Sequence, residues 1–169
     1  MEHILTECTA PGRLEIWTLA NELWGKRSRT PIPTNYGSLI GCCLSTFKKD
    51  NGKADEGINR LFRIIVSESM YLIWKIRCER AITWNNEPEK FHSHNEIHNK
   101  WLQAINVRLK MDSIRTNTKI FKAKAIKPKI VLKTWKNCLK EDVHDTRNWC
   151  GKMGVLVGIA SRRPPGRNR

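Results

Sequence analysis

One stretch constrains the fold more than any other. Residues 56–82 read EGINRLFRIIVSESMYLIWKIRCERAI. Ile58, Leu61, Phe62, Ile65, Ser69, Leu72, Ile73 and Ile76 recur there at helical spacing and share one face. Ile64, Tyr71 and Trp74 are also apolar and point elsewhere. A helix apolar on more than one side is generally buried on more than one side. The stretch is therefore expected to form a central helix with the other elements packed around it.

The flanking segments read as shorter helices. The opening MEHILTECTAPG ends at a Pro-Gly breaker, and Leu14, Ile16, Trp17, Ala20, Leu23 and Trp24 make 13–24 amphipathic. Residues 25–35 form a basic loop with Pro31 and Pro33, and the apolar run 36–47 predicts a short helix. The polar turn 48–57 leads into the central helix, which Pro88 separates from the next one. That helix is expected over 94–117, on Ile97, Trp101, Ala104, Ile105, Leu109 and Met111 or Asp112, with Ser93 or His94 as cap. Val131, Leu132, Trp135 and Leu139 predict a short helix over 130–139, begun near Pro128. GVLVGIA at 154–160 is strand-like, and SRRPPGRNR is expected to be a disordered basic tail. The fold class is mainly α: an irregular helical bundle around a long central helix, sized as one domain.

Charge bears on partners. The net charge is +15, and residues 100–169 hold 18 Lys+Arg against 4 Asp+Glu, whereas residues 1–99 hold 13 against 12. A one-sided basic surface suits a polyanion, nucleic acid before an anionic membrane. The longest apolar runs are broken by Arg63, Ser67, Glu68 and Lys75, so no transmembrane helix and no membrane partner are expected. The first residues lack the apolar core of a signal peptide, which predicts an intracellular chain whose six cysteines stay reduced. The vicinal pair Cys42-Cys43 reads as core filler.

Few constellations could carry chemistry. His3 and Cys8 have metal-ligand spacing, but a structural zinc site needs four ligands and no Cys-x2-Cys occurs. His92, His94 and His98 cluster around Glu96, yet the order H-N-E-I-H is not the HExxH of a zinc protease, and an exposed polar helix surface is the plainer reading. No phosphate-binding glycine loop or nucleophile elbow is present, and the scattered acidic residues do not assemble a two-metal site. No catalytic residue is expected.

The basic run KIFKAKAIKPKIVLKTWK at 119–136 is the candidate binding element. Lys119, Lys122, Lys124, Lys127, Lys129, Lys133 and Lys136 can line a phosphate-tracking surface. Phe121 and Trp135 sit in apolar periodicity and are expected in the core rather than stacked on bases. Arg162, Arg163, Arg167 and Arg169 add an electrostatic arm.

The segment EHILTECTAPGRLEIWTLANELW, 2–24, resembles the region that follows the ribonuclease H domain in fungal LINE-type (non-LTR) retrotransposon polyproteins. SESMYLIWKIRCER at 67–80, EIHNKWLQAINVRL at 96–109 and GVLVGIASRRPPGRNR at 154–169 are similar to the same tail. The resemblance implies a reverse-transcriptase-type CCHC zinc-binding module in which His3 and Cys8 match the third and fourth ligands. The first two would lie upstream of Glu2, as would the ribonuclease H domain, and Met1 would then be internal to a longer frame. On that reading residues 1–24 are a remnant of the zinc module with the first helix, 25–150 a helical domain, and 151–169 the strand-like run and tail. The chain itself carries no cofactor, and zinc belongs to the longer parent. The expected function is non-catalytic, sequence-tolerant nucleic-acid binding. The alternatives are a fragment of a reverse transcriptase/ribonuclease H polyprotein, with activity upstream, and a helical scaffold or dimerisation domain. The resemblance and the basic runs also point to the nucleus, while the oligomeric state is left open.

Overall fold

The computed structural model describes residues 1–140, 149–152 and 154–162, and it is mainly helical. The longest helix, α4, runs Glu56–Cys78, about 34 Å at the usual rise per residue. Its start is set by Asp55, whose carboxylate accepts from the backbone N–H groups of Gly57 (3.0 Å) and Ile58 (3.1 Å). Two donors that the first turn cannot pair internally are thereby satisfied. Its end passes into a wider π turn, Glu79–Thr83, rather than continuing as α-helix. As expected, α4 is the element the others pack on: α1 (Glu2–Thr6), α2 (Arg13–Gly25), α5 (His94–Ile114) and α7 (Pro128–Thr134) all contact it. The remaining helices, α3 (Tyr36–Ile40) and α6 (Thr118–Phe121), are short.

Along α4 the burial of the large apolar side chains largely follows the expected face. Leu61, Phe62, Ile64, Ile65, Val66, Leu72, Ile73 and Ile76 are buried, so the covered face of α4 is wide enough to take in Ile64. Tyr71 and Trp74, expected to be covered as well, are exposed among the described residues. The core is one cluster from Leu5 to Ile159. Near its centre Trp24, Phe47 and Phe62 meet with ring centroids 5.0–5.3 Å apart at steep angles, the arrangement aromatic quadrupoles favour. Buried indole N–H groups find acceptors: Trp17 on the Leu5 carbonyl, Trp24 on Thr30, Trp101 on the Ser69 hydroxyl and Trp135 on the Asp112 carboxylate.

Several boundaries differ from those read in the sequence. The apolar run 36–47 is helical only to Ile40, with a 3-10 turn at Gly41–Cys43, and Phe47 leaves the helix to enter the aromatic cluster. Cys42 is buried but its neighbour Cys43 is exposed, since successive residues of a turn face different ways. The helix expected over 94–117 ends at Ile114, and the one expected over 130–139 is Pro128–Thr134. The strand-like run 154–160 forms no strand among the described residues. It makes a single antiparallel bridge, Val157 with Leu139, and is otherwise held by helix side chains. Asn106 Oδ1 accepts from Val157 N (2.9 Å), and Asn99 brackets the backbone of Arg162 with two bonds. Within the expected tail, 163–169 lie outside the described residues.

Candidate nucleic-acid interface

The lysine-rich stretch stands out from the bundle for local reasons. Asn117 caps α6, its side-chain oxygen accepting from Lys119 N and Ile120 N, but α6 lasts only four residues. Lys122 then takes φ 48 and ψ −127, a conformation costly for a side chain with a Cβ, and the chain turns through a 3-10 segment, Lys122–Lys124. Ile126 N returns to the Arg115 carbonyl at 2.9 Å, closing the excursion, and Pro128 opens α7 at its first turn. So short a loop cannot bury long side chains. Lys119, Lys122, Lys124, Lys127, Lys129 and Lys136 are exposed and Lys133 is half-buried.

Trp135 is fully buried, as expected, but Phe121, also expected in the core, is not part of it. Phe121 is half-buried, and Ile120 beside it is 65 % exposed. Residues 113–140 contain nine Lys+Arg and no Asp or Glu. The acidic residue just before them, Asp112, is buried and engaged: Arg60 holds both its oxygens (2.5 and 2.6 Å) and Trp135 Nε1 donates to one at 2.8 Å. Its charge is thus spent inside the bundle. Within 113–140 itself no acidic side chain offsets the lysines, a composition that suits a polyanion.

Three of the lysines converge. Lys129, Lys133 and Lys136 border a cleft of about 860 Å³ together with Lys26, at the end of α2, and Leu132 and Leu139. Arg27 Nη1 fixes the geometry, donating to the carbonyls of Lys133 (2.8 Å) and Lys136 (3.1 Å), while Lys26 Nζ donates to Gly158 O at 2.7 Å. Lys26 and Arg27 were not singled out from the sequence. Their only signal was the basic loop 25–35, and their approach to α7 spans more than a hundred residues. Lys119, Lys122, Lys124 and Lys127 lie ahead of this cleft along the chain and do not border it. Arg162 is exposed next to Asn99 of α5; Arg163, Arg167 and Arg169 lie outside the described residues.

The other candidates go separate ways. His3 lies within α1, not on a loop, and its Nδ1 meets Glu7 Oε2 at 3.2 Å on an exposed surface. Cys8 Sγ instead faces the Arg80 guanidinium at 3.9 Å. Among the described residues no group of three or more His, Cys, Asp or Glu could hold a metal ion. His3 and Cys8 thus have different neighbours here, Glu7 and Arg80. The three clustered histidines are also dispersed. His92 bonds Glu79 (2.8 Å) and stacks edge-on to Trp84, and His94 pairs with Glu15. His98 is buried rather than on a polar surface, because its Nε2 is needed at the Ala160 carbonyl (2.7 Å). Burial raises the Glu79 carboxyl, but the His92 hydrogen bond and the Lys100 charge outweigh it and leave the group below its ordinary value. Among the described residues no helix is long and apolar enough to cross a membrane. No family model, curated protein or solved structure matches this chain.

Proposed function

We propose that this chain is a non-catalytic nucleic-acid-binding domain that engages the phosphate backbone without regard to sequence. The observation that carries the reading is the acid-free run 113–140, whose lysines project from the short loop and from α7 while Val131, Trp135 and Cys138 serve the core. Ammonium groups are compact point charges that suit phosphates but do not read base edges bidentately, so affinity is expected with little sequence preference. In this reading the cleft edged by Lys129, Lys133 and Lys136 receives the backbone, and Lys119, Lys122, Lys124 and Lys127, exposed in the same acid-free run, add phosphate contacts. Arg162 and the arginines beyond it add a second point of attachment. The resemblance to the tail of non-LTR retrotransposon polyproteins supports the same reading, since such a tail works beside enzymes that handle RNA and DNA.

Fluorescence anisotropy with a labelled single-stranded oligonucleotide tests it. Replacing Lys119, Lys122 and Lys124 together by Ala touches no buried side chain, so the fold is expected to survive. Affinity at low salt should fall by about tenfold or more, equally for oligonucleotides of different sequence. Wild-type affinity in the triple variant would refute the assignment.

A further inference from the structure

The chain beyond Trp149 is tied to α5 at intervals. Ser113 Oγ accepts from Gly151 N at 2.7 Å, and Asn106 Oδ1 accepts from Val157 N at 2.9 Å. The two anchors stand seven residues apart on α5, about 10 Å along its axis, whereas six residues of extended chain reach about 20 Å. The segment therefore stands off the helix between its ties, and a groove of about 670 Å³ lies between the two. Small-molecule sites have this size, about 300–1,000 Å³. The walls are mainly aliphatic: Leu102, Leu109 and Val155, with Val107, Ile114 and Leu156 at 53, 38 and 44 % exposure. Trp149 also lines the groove, but it is 1 % exposed and has no free face on which a base could stack.

Charge gives the groove a direction. Lys110 lies one turn before Ser113 on α5, and Lys152 follows Gly151, so the Ser113–Gly151 bond brings both lysines to one end. Leu102 and Leu156, beside the Asn106 tie, lie toward the other. No Asp or Glu is among the described residues that line the groove, and among the described residues Lys110 makes no ion pair. An aliphatic trough with cations at one end suits an anion that carries a single apolar chain, and a cationic amphiphile would meet like charge there. From Leu102 to Ser113 the groove follows α5 for about 16 Å. An extended chain advances about 3.5 Å for every three bonds, so about a dozen carbons fill that length. We propose that the groove binds a fatty carboxylate of this length, its carboxylate at Lys110 and Lys152 and its chain along Leu102, Leu109 and Leu156.

Isothermal titration calorimetry of the full chain with dodecanoate, kept below its micelle concentration, tests the proposal. Saturable binding of a single molecule per chain is expected. Affinity should rise about fourfold for each methylene added from octanoate to dodecanoate, as burial of that group predicts. Lys110→Glu should weaken dodecanoate binding about tenfold. Lys53→Glu changes the net charge equally from an exposed turn outside the groove, and should leave the affinity as it is. Leu156→Asp puts a carboxylate on the wall at an exposed position that the fold tolerates, and should weaken binding by about tenfold or more. Absence of saturable binding overturns the proposal. So do equal losses in Lys110→Glu and Lys53→Glu, and so does dodecyltrimethylammonium bound as tightly as dodecanoate. An affinity independent of chain length also overturns it, because charge alone would then be recognised.

Discussion

Asp112 joins three helices at a single carboxylate. It sits on α5, takes a bidentate bond from Arg60 of α4, and accepts from the indole of Trp135 just past α7. Its side chain is 3 % exposed and that of Arg60 24 %. Asp112→Ala leaves the Arg60 guanidinium only its longer bond to the Thr134 hydroxyl (3.4 Å) and the buried Trp135 N–H without its acceptor. It should cost about 2–3 kcal/mol, less than for a fully buried pair because Arg60 keeps some solvent. Denaturant unfolding of wild type and variant measures this. In the sequence Asp112 was only one of two candidates for the last apolar-spaced position of its helix, since its partners are 52 and 23 residues away. Cys138 offers a second test. Burial pushes its thiol from 9.0 up to about 11. The unfolded chain releases this proton first, so the contribution is fully present below pH 9 and is lost as pH rises toward 11. The loss amounts to about 3 kcal/mol at most. Stability measured between pH 8 and 11 should fall less steeply in Cys138→Ala than in wild type.

At the scale of elements, legibility followed length. α4, α2 and α5 were readable because each repeats its apolar spacing over three or more turns, and α5 also carries a Ser93–Glu96 capping box. The ends of α4 and α5, the brevity of α3 and α7, and the bridge at Val157 were not, because tertiary contacts decide them. α1 was missed altogether; five residues carry too little periodicity to show. The close approach of α4 to α7 was equally hidden. A Cβ on Gly57 would lie 2.6 Å from the Lys133 carbonyl oxygen, so the contact needs a residue without one. Gly57→Ala should therefore force the helices apart and lower stability by about 1–3 kcal/mol, against the gain that alanine normally brings inside a helix. Thermal unfolding followed by circular dichroism reads the sign: a higher midpoint in the variant would show that the helices do not meet as described.

For the whole molecule, the imbalance of charge was plain from the sequence, and so were the lysines that carry it. What could not be read was their arrangement. The sequence did not show that Arg27 would lock the end of α7 beside Lys26, or that Asp112 would be spent inside the bundle. Nor did it show that His3 and Cys8 would point to different neighbours. These depend on pairs far apart in the chain, and the binding reading rests on the exposed lysines of 119–136. The most direct test is the salt dependence of oligonucleotide affinity. If the six exposed lysines of 119–136 neutralise phosphates, the logarithm of the association constant should fall with the logarithm of salt concentration with a slope of about −4 on a single strand. The Lys119, Lys122 and Lys124 triple alanine variant should reduce that slope by about 2. An affinity that stays flat from low to moderate salt would contradict the account.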